Sequence, residues 1–190
     1  MQGTLSLQWT RRIGLRQSAV TSAALVLLGT AAVALLAQVR IPLPFTPVPI
    51  TGQTLGVLLI AAVLGARLGT ASLGLYLASG LAGLPFFTGG ASGLAHLTGP
   101  TGGFLAGFLA AALVVGALAQ RGWTRSWQKT AALFALGSLV IYICGAAYLS
   151  IFTGLRQALL IGVLPFLPGD LLKAILAAAL LPAAWKLTAR

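Results

Sequence analysis

A chain of 190 residues that is 58% hydrophobic and only 7% charged carries more apolar surface than a small core can bury, so its solvent is lipid. Twelve Lys and Arg stand against one acid, Asp170, for a formal charge of +11. The cations are dispersed at the ends of apolar runs and do not line one face with aromatics, which excludes a nucleic-acid-binding surface. The single cysteine, Cys144, excludes an intramolecular disulfide and reads as a small buried side chain.

Residues 1–18 are a basic segment carrying Arg11, Arg12 and Arg16. The apolar stretch 19–39 that follows is too long for a signal-peptide core. As a helix it rises about 31 Å, close to the thickness of the hydrocarbon layer, and it is the first expected span. Five more apolar segments are expected at 54–66, 70–84, 103–119, 131–152 and 171–185. The second and third are joined by Gly65-Ala66-Arg67-Leu68-Gly69, which predicts an antiparallel helical hairpin. Unpaired backbone is intolerable in lipid, so the segments are helices. The fold class is therefore an all-α membrane protein of six transmembrane helices, a single domain over 19–186 with a short tail at 187–190.

With the N-terminus in the cytoplasm, nine basic residues fall inside (Arg11, Arg12, Arg16, Arg67, Arg121, Arg125, Lys129, Lys186, Arg190) and two outside (Arg40, Arg156). Both termini are thus expected in the cytoplasm. Trp123, Trp127 and Trp185 read as interfacial anchors. The outer side receives three irregular segments, 40–54, 85–102 and 153–170, which hold eight of the nine prolines. Irregular backbone near a membrane must be buried in protein or line a cavity, so the three segments are expected to cap an outward-facing pocket.

Four groups of residues carry candidate chemistry. Lys173 lies a full turn into the last apolar segment, three residues from Asp170 on the same helical face; an intramembrane charge points to function, while helix capping by Asp170 and a snorkelling lysine are the plainer alternative. The stretch 40–55 is rigid with proline and brings Thr51, Gln53 and Thr54 to the mouth of the second helix, where neutral donors and acceptors suit a urea or amide group; capping by either threonine remains open. Gly90 and Thr101 lie in two glycine-rich stretches that lack the lysine of a phosphate loop and can pack closely over a ligand. Tyr142 and Tyr148 offer apolar rings with polar tips, and could equally be belt residues. No catalytic residue is proposed, and His96, without a Cys or carboxylate nearby, is a poor metal ligand. Small residues at Ala19 and Ala23 give the first span a face for close helix contact, within the protein or with a membrane partner.

The runs Ile41 to Leu59, Gly99-Pro100-Thr101-Gly102-Gly103 and Pro165-Phe166-Leu167-Pro168-Gly169-Asp170-Leu171-Leu172-Lys173 resemble the signature segments of the BioY family, the biotin-binding components of energy-coupling factor transporters. The resemblance covers about 18–184. It departs at Ser92, where a further glycine is expected, at Phe104, where tyrosine is common, and at His96, where a small apolar residue is usual. It implies biotin as the transported ligand, no bound cofactor, and a bacterial cytoplasmic membrane. It also implies partnership with a membrane coupling subunit and two cytoplasmic ATPases, with self-association left open. Asp170 and Lys173 would lie near the biotin carboxylate, Gln53 would be a polar contact, and Ala19 and Ala23 would meet the coupling subunit. A transporter component for another small vitamin carboxylate and an intramembrane enzyme are the rival readings.

Overall fold

The computed structural model describes residues 4–12, 14 and 18–188. Arg16 and Arg190, and the side chain of Arg11, lie outside the described residues. Among the described residues eight α-helices follow one another: α1 (Leu5–Arg12), α2 (Ala19–Gln38), α3 (Gln53–Leu81), α4 (Ala95–Thr98), α5 (Gly102–Gln120), α6 (Trp127–Thr153), α7 (Leu155–Gly162) and α8 (Leu167–Thr188). A short antiparallel ribbon of β1 (Arg40–Ile41) and β2 (Ile50–Thr51) sits between α2 and α3, with Arg40 opposite Thr51.

Local signals explain where the first long helices begin and break. Ser18 caps α2, its side chain accepting the Thr21 N–H at 3.2 Å. Inside α3 the backbone departs from helix at Gly65 alone, with φ 82° and ψ 179°, a region closed to other residues. The chain reverses there. Gln53 and Tyr76 are joined by a 2.6 Å hydrogen bond, whereas a continuous helix would hold them about 34 Å apart. Residues 53–64 and 66–81 are thus the arms of the expected hairpin. Its turn is tighter than the five-residue link suggests, since Ala66 to Gly69 already belong to the second arm.

The helices pack in sequence, α2 on α3, α3 on α5, α5 on α6, and α6 on α7 and α8. Thr30 of α2 donates to the Ser72 carbonyl at 2.9 Å, tying the first helix to the hairpin. At Gly116 of α5 a Cβ would lie 2.3 Å from the Ala66 nitrogen, so α5 touches the hairpin turn backbone to backbone. Val57, Leu73, Ala111, Val115 and Leu133 form the centre of the packed core.

Among the described residues, five helical stretches are long and apolar enough to cross a membrane: Ala19–Gln38, Gln53–Leu81, Gly102–Gln120, Trp127–Thr153 and Leu155–Leu187. Six spans are expected from the sequence; the difference lies in the hairpin, whose arms are each shorter than the roughly 20 residues of a perpendicular span. Helix α2 is apolar nearly throughout, yet Val20, Leu27, Leu28 and Leu35 are exposed, which suits a helix facing lipid.

Helix α1 lies within the basic N-terminal segment. Thr4, Leu5, Ser6 and Thr10 are buried, and the Arg12 guanidinium hydrogen-bonds the Leu187 carbonyl near the end of α8. At the same end Trp185 donates to Thr124 at 2.9 Å and Arg125 lies over its ring, while Trp127 is exposed as an anchor would be.

Contact at Gly116 should be intolerant of any side chain. Gly116→Val is expected to destabilise by about 1–3 kcal/mol through overpacking. By contrast Gly74→Ala, where a Cβ meets nothing within 4 Å, should stabilise its helix by about 0.5–1 kcal/mol. Thermal unfolding of the two variants in detergent reads both signs.

Candidate functional site

The three irregular segments meet over the ends of α3, α5, α6 and α8 and enclose a cavity of about 390 Å³. That size lies in the range of small-molecule sites, about 300–1,000 Å³. Its apolar wall includes Val48, Phe87, Phe104, Phe108 and Ile141. Its polar groups fall into two clusters.

The first cluster surrounds Asp170. Lys173 Nζ donates to Asp170 Oδ1 at 2.8 Å, to Thr54 Oγ1 at 2.6 Å and to the Thr51 carbonyl at 3.2 Å. Tyr142 donates its hydroxyl to Asp170 Oδ2 at 2.6 Å. Helix α8 begins at Leu167, earlier than the apolar run that starts at 171, because Pro168 is compatible with a helix's first turn. Asp170 therefore lies within the first turn of the helix, and its carboxylate faces Tyr142, Thr54 and Lys173. Lys173 does not snorkel away: all three of its protons have acceptors in the chain. The two charges are mostly buried and cancel, so the cluster is electrically neutral where it meets the cavity.

The second cluster is centred on Gln53. Its Nε2 donates to Tyr76 at 2.6 Å, and its Oε1 accepts from Thr88 at 2.7 Å and from Thr51 at 3.2 Å. The Thr51 hydroxyl also accepts the Gln53 N–H at 3.2 Å, so this threonine starts the helix while its carbonyl serves Lys173. Gln53 is buried, and it ties the loop at Thr88 to both arms of the hairpin.

Not every candidate reaches the cavity. Thr51, Gln53, Thr101, Tyr142, Asp170 and Lys173 line it; Gly90 and Tyr148 do not. The Gly90 N–H donates to Gln38 Oε1 at 2.9 Å, which pins its loop to the end of α2. Tyr148 donates to the Thr98 carbonyl at 3.2 Å from outside and meets Phe152 edge on. Thr101 lines the wall while its hydroxyl donates to the His96 carbonyl at 3.3 Å. Ala19 and Ala23 are exposed on α2, far along the helix from Gln38.

Several lining residues escaped sequence reasoning. Phe87 is almost fully buried between Tyr76, edge on, and His96, stacked at 5.7 Å, and so forms the floor of the loop that covers the cavity. His96 serves as a ring against Phe87. Arg40 and Thr88 also line the cavity, and a lone polar residue in an irregular segment carries no spacing signal that could have marked them.

The chain is 42% identical over 160 residues to the biotin transporter BioY2 of Lactococcus lactis subsp. cremoris, covering 82% of this chain and 85% of that protein. It is 38% identical over 139 residues to the biotin transporter BioY of Thermotoga maritima, covering 73% and 81% respectively. The crystal structure of the S-component for biotin from an ECF-type ABC transporter superposes with a TM-score of 0.78 at 32% identity, over 88% of this chain and 92% of that one. The BioY family model itself matches residues 8–190, and the chain belongs to the BioY family.

Proposed function

We propose that this protein captures biotin on the outer side of a bacterial cytoplasmic membrane and delivers it inward as the substrate-binding component of an energy-coupling factor transporter. The observation that carries the reading is the neutral Asp170–Lys173 pair set in an apolar cavity with further uncharged donors and acceptors around it. A cyclic urea needs an acceptor for its N–H groups, which the Asp170 carboxylate offers, and a donor for its carbonyl, for which Gln53 Nε2 has a second proton beside the one given to Tyr76. The thiophane ring and alkyl chain suit the wall of Phe104, Phe108 and Ile141. Binding and release are the whole task, in keeping with a family of transporter components and not of enzymes.

Six spans follow when the hairpin arms are counted separately, and both termini are then cytoplasmic. That count puts the cavity and the loops of 40–54, 85–102 and 153–170 outside. The loop with Arg121, Arg125 and Lys129, and α1, lie inside. Motive force must come from partners: a membrane coupling subunit and two cytoplasmic ATPases. The exposed small residues Ala19 and Ala23 let another helix approach α2 closely. Gln38, at the other end of the same helix, holds the 86–90 loop through the Phe87 carbonyl at 3.2 Å and the Gly90 N–H at 2.9 Å. A partner seated on α2 could thereby act on the loop that covers the ligand.

Lys173→Ala removes three hydrogen bonds and strands Asp170. Biotin affinity in titration calorimetry should fall by about 10- to 100-fold, the cost of a lost charged hydrogen bond, whereas Lys186→Ala at the far end of α8 should leave it unchanged. Equal effects would remove the pair from the site. Tight binding of a different vitamin by a protein indifferent to biotin would replace the ligand. The orientation is checked separately with Cys144→Ala as background: Gln157→Cys should react with an impermeant maleimide added to whole cells, and Gln128→Cys only after the membrane is opened. The reverse pattern would invert the topology.

A further inference from the structure

The chain has one side-chain carboxylate, and the structure spends it entirely on Lys173, Tyr142 and Thr54. Any other cation at the cavity must therefore find its counter-charge outside the protein. Arg40 is that cation. It lines the cavity from its exposed mouth, at the end of the ribbon, directly opposite Thr51. Its guanidinium lies against Gly89 in the covering loop, where a Cβ would come within 2.3 Å of Nη1; Gly89 also has φ 71°, so a glycine there both permits the turn and leaves a seat for the flat group. Among the described residues no acceptor within the chain is bonded to it.

We propose that Arg40 holds the carboxylate of the ligand, and that Lys173 does not. This rests on the biotin reading above and deepens it, because it sets which way round the ligand lies. The inner end of the cavity is electrically balanced, so a carboxylate placed there would face Asp170 as well as Lys173 and gain little. At the mouth, an unpaired guanidinium offers two parallel N–H groups in the geometry that a carboxylate accepts. The ureido ring then enters first and meets the neutral pair, the alkyl chain runs along the aromatic wall, and the carboxylate stays at the mouth. The position of Arg40 on a ribbon that also presents the Thr51 carbonyl to Lys173 makes one short element common to both ends of the ligand.

Biotin and biotinamide, which differ only in the charge of the tail, separate the alternatives on the purified full-length protein. The wild type should prefer biotin by about 10- to 100-fold, the range of a charge-assisted hydrogen-bonded contact. Arg40→Gln should bring biotin down to the level of the amide while leaving the amide unchanged, and Arg40→Lys should restore part of the preference. Lys173→Gln should weaken both ligands together. The assignment is overturned if Arg40→Gln keeps the preference or weakens both ligands alike, if the wild type shows no preference, or if Lys173→Gln is the variant that abolishes it. Should the wild type bind neither ligand, the biotin reading itself has failed; retained biotin binding with any of the overturning patterns leaves that reading intact.

Discussion

A single carboxylate buried at the edge of a membrane imposes more on this chain than any other residue. Removing an ion from water costs several kcal/mol even after relaxation, and it is tolerated only when a counter-charge and hydrogen bonds replace the lost solvent. Asp170 obtains them from three separate elements: Lys173 on its own helix, Tyr142 on α6 and Thr54 at the start of α3. Each donor is in turn placed by the fold. Lys173 is three residues along α8, Thr54 follows the ribbon that returns the proline-rich loop, and Tyr142 faces inward because α6 turns Ile141 and Ala146 toward the core. Neutralising one acid thus fixes the relative heights of α3, α6 and α8 where the cavity forms.

The covering loops are held by the same logic applied to uncharged groups. Gln53 uses both ends of its amide, donating to Tyr76 and accepting from Thr88, so the irregular segment 85–102 is bound to the rim of a rigid hairpin. Gln38 does the corresponding work from α2, bonding carbonyls at 86 and 87 and the N–H at 90. Phe87 then packs between Tyr76 and His96. In a medium with little water, two amides bonded through both their oxygen and their nitrogen are stiff attachments, and their cost if broken is higher than at a wet surface. The cavity is therefore largely preformed, which lowers the ordering cost of binding a small ligand.

Much of this was legible beforehand, for reasons that differ by feature. Hydropathy reads the apolar helices because lipid leaves few other options, and Gly65 through Gly69 read as a reversal because only glycine supplies the backbone needed there. Lys173 and Asp170 stand out because charge is so scarce. The start of α8 was misplaced: Pro168 and Gly169 look like loop residues, yet proline suits a helix's first turn. Helix α1 escapes a sequence reading because eight residues of mixed polarity, little more than two turns, carry no clear periodic signal, and it packs on α3 and α8. Gly90 and Tyr148 were drawn toward the cavity by type and proximity in sequence. Which face of a loop or helix they occupy depends on tertiary contacts, with Gln38 for one and Thr98 for the other.

Balanced charge at the inner end also bears on how such a site can let its ligand go. A bare lysine gripping a carboxylate in an apolar cavity would have to be resolvated, or find another anion, at the moment of release. The Asp170–Lys173 pair avoids that difficulty, since its ions are satisfied from within the chain by Tyr142, Thr54 and the Thr51 carbonyl. The ligand then exchanges hydrogen bonds with a surface that is complete without it. Affinity comes from apolar contact and neutral hydrogen bonds, terms that disappear gradually as the loops move apart, and a charge left at the mouth can regain water first. Tight capture and a modest barrier to release are compatible in this arrangement because no step leaves a buried ion alone.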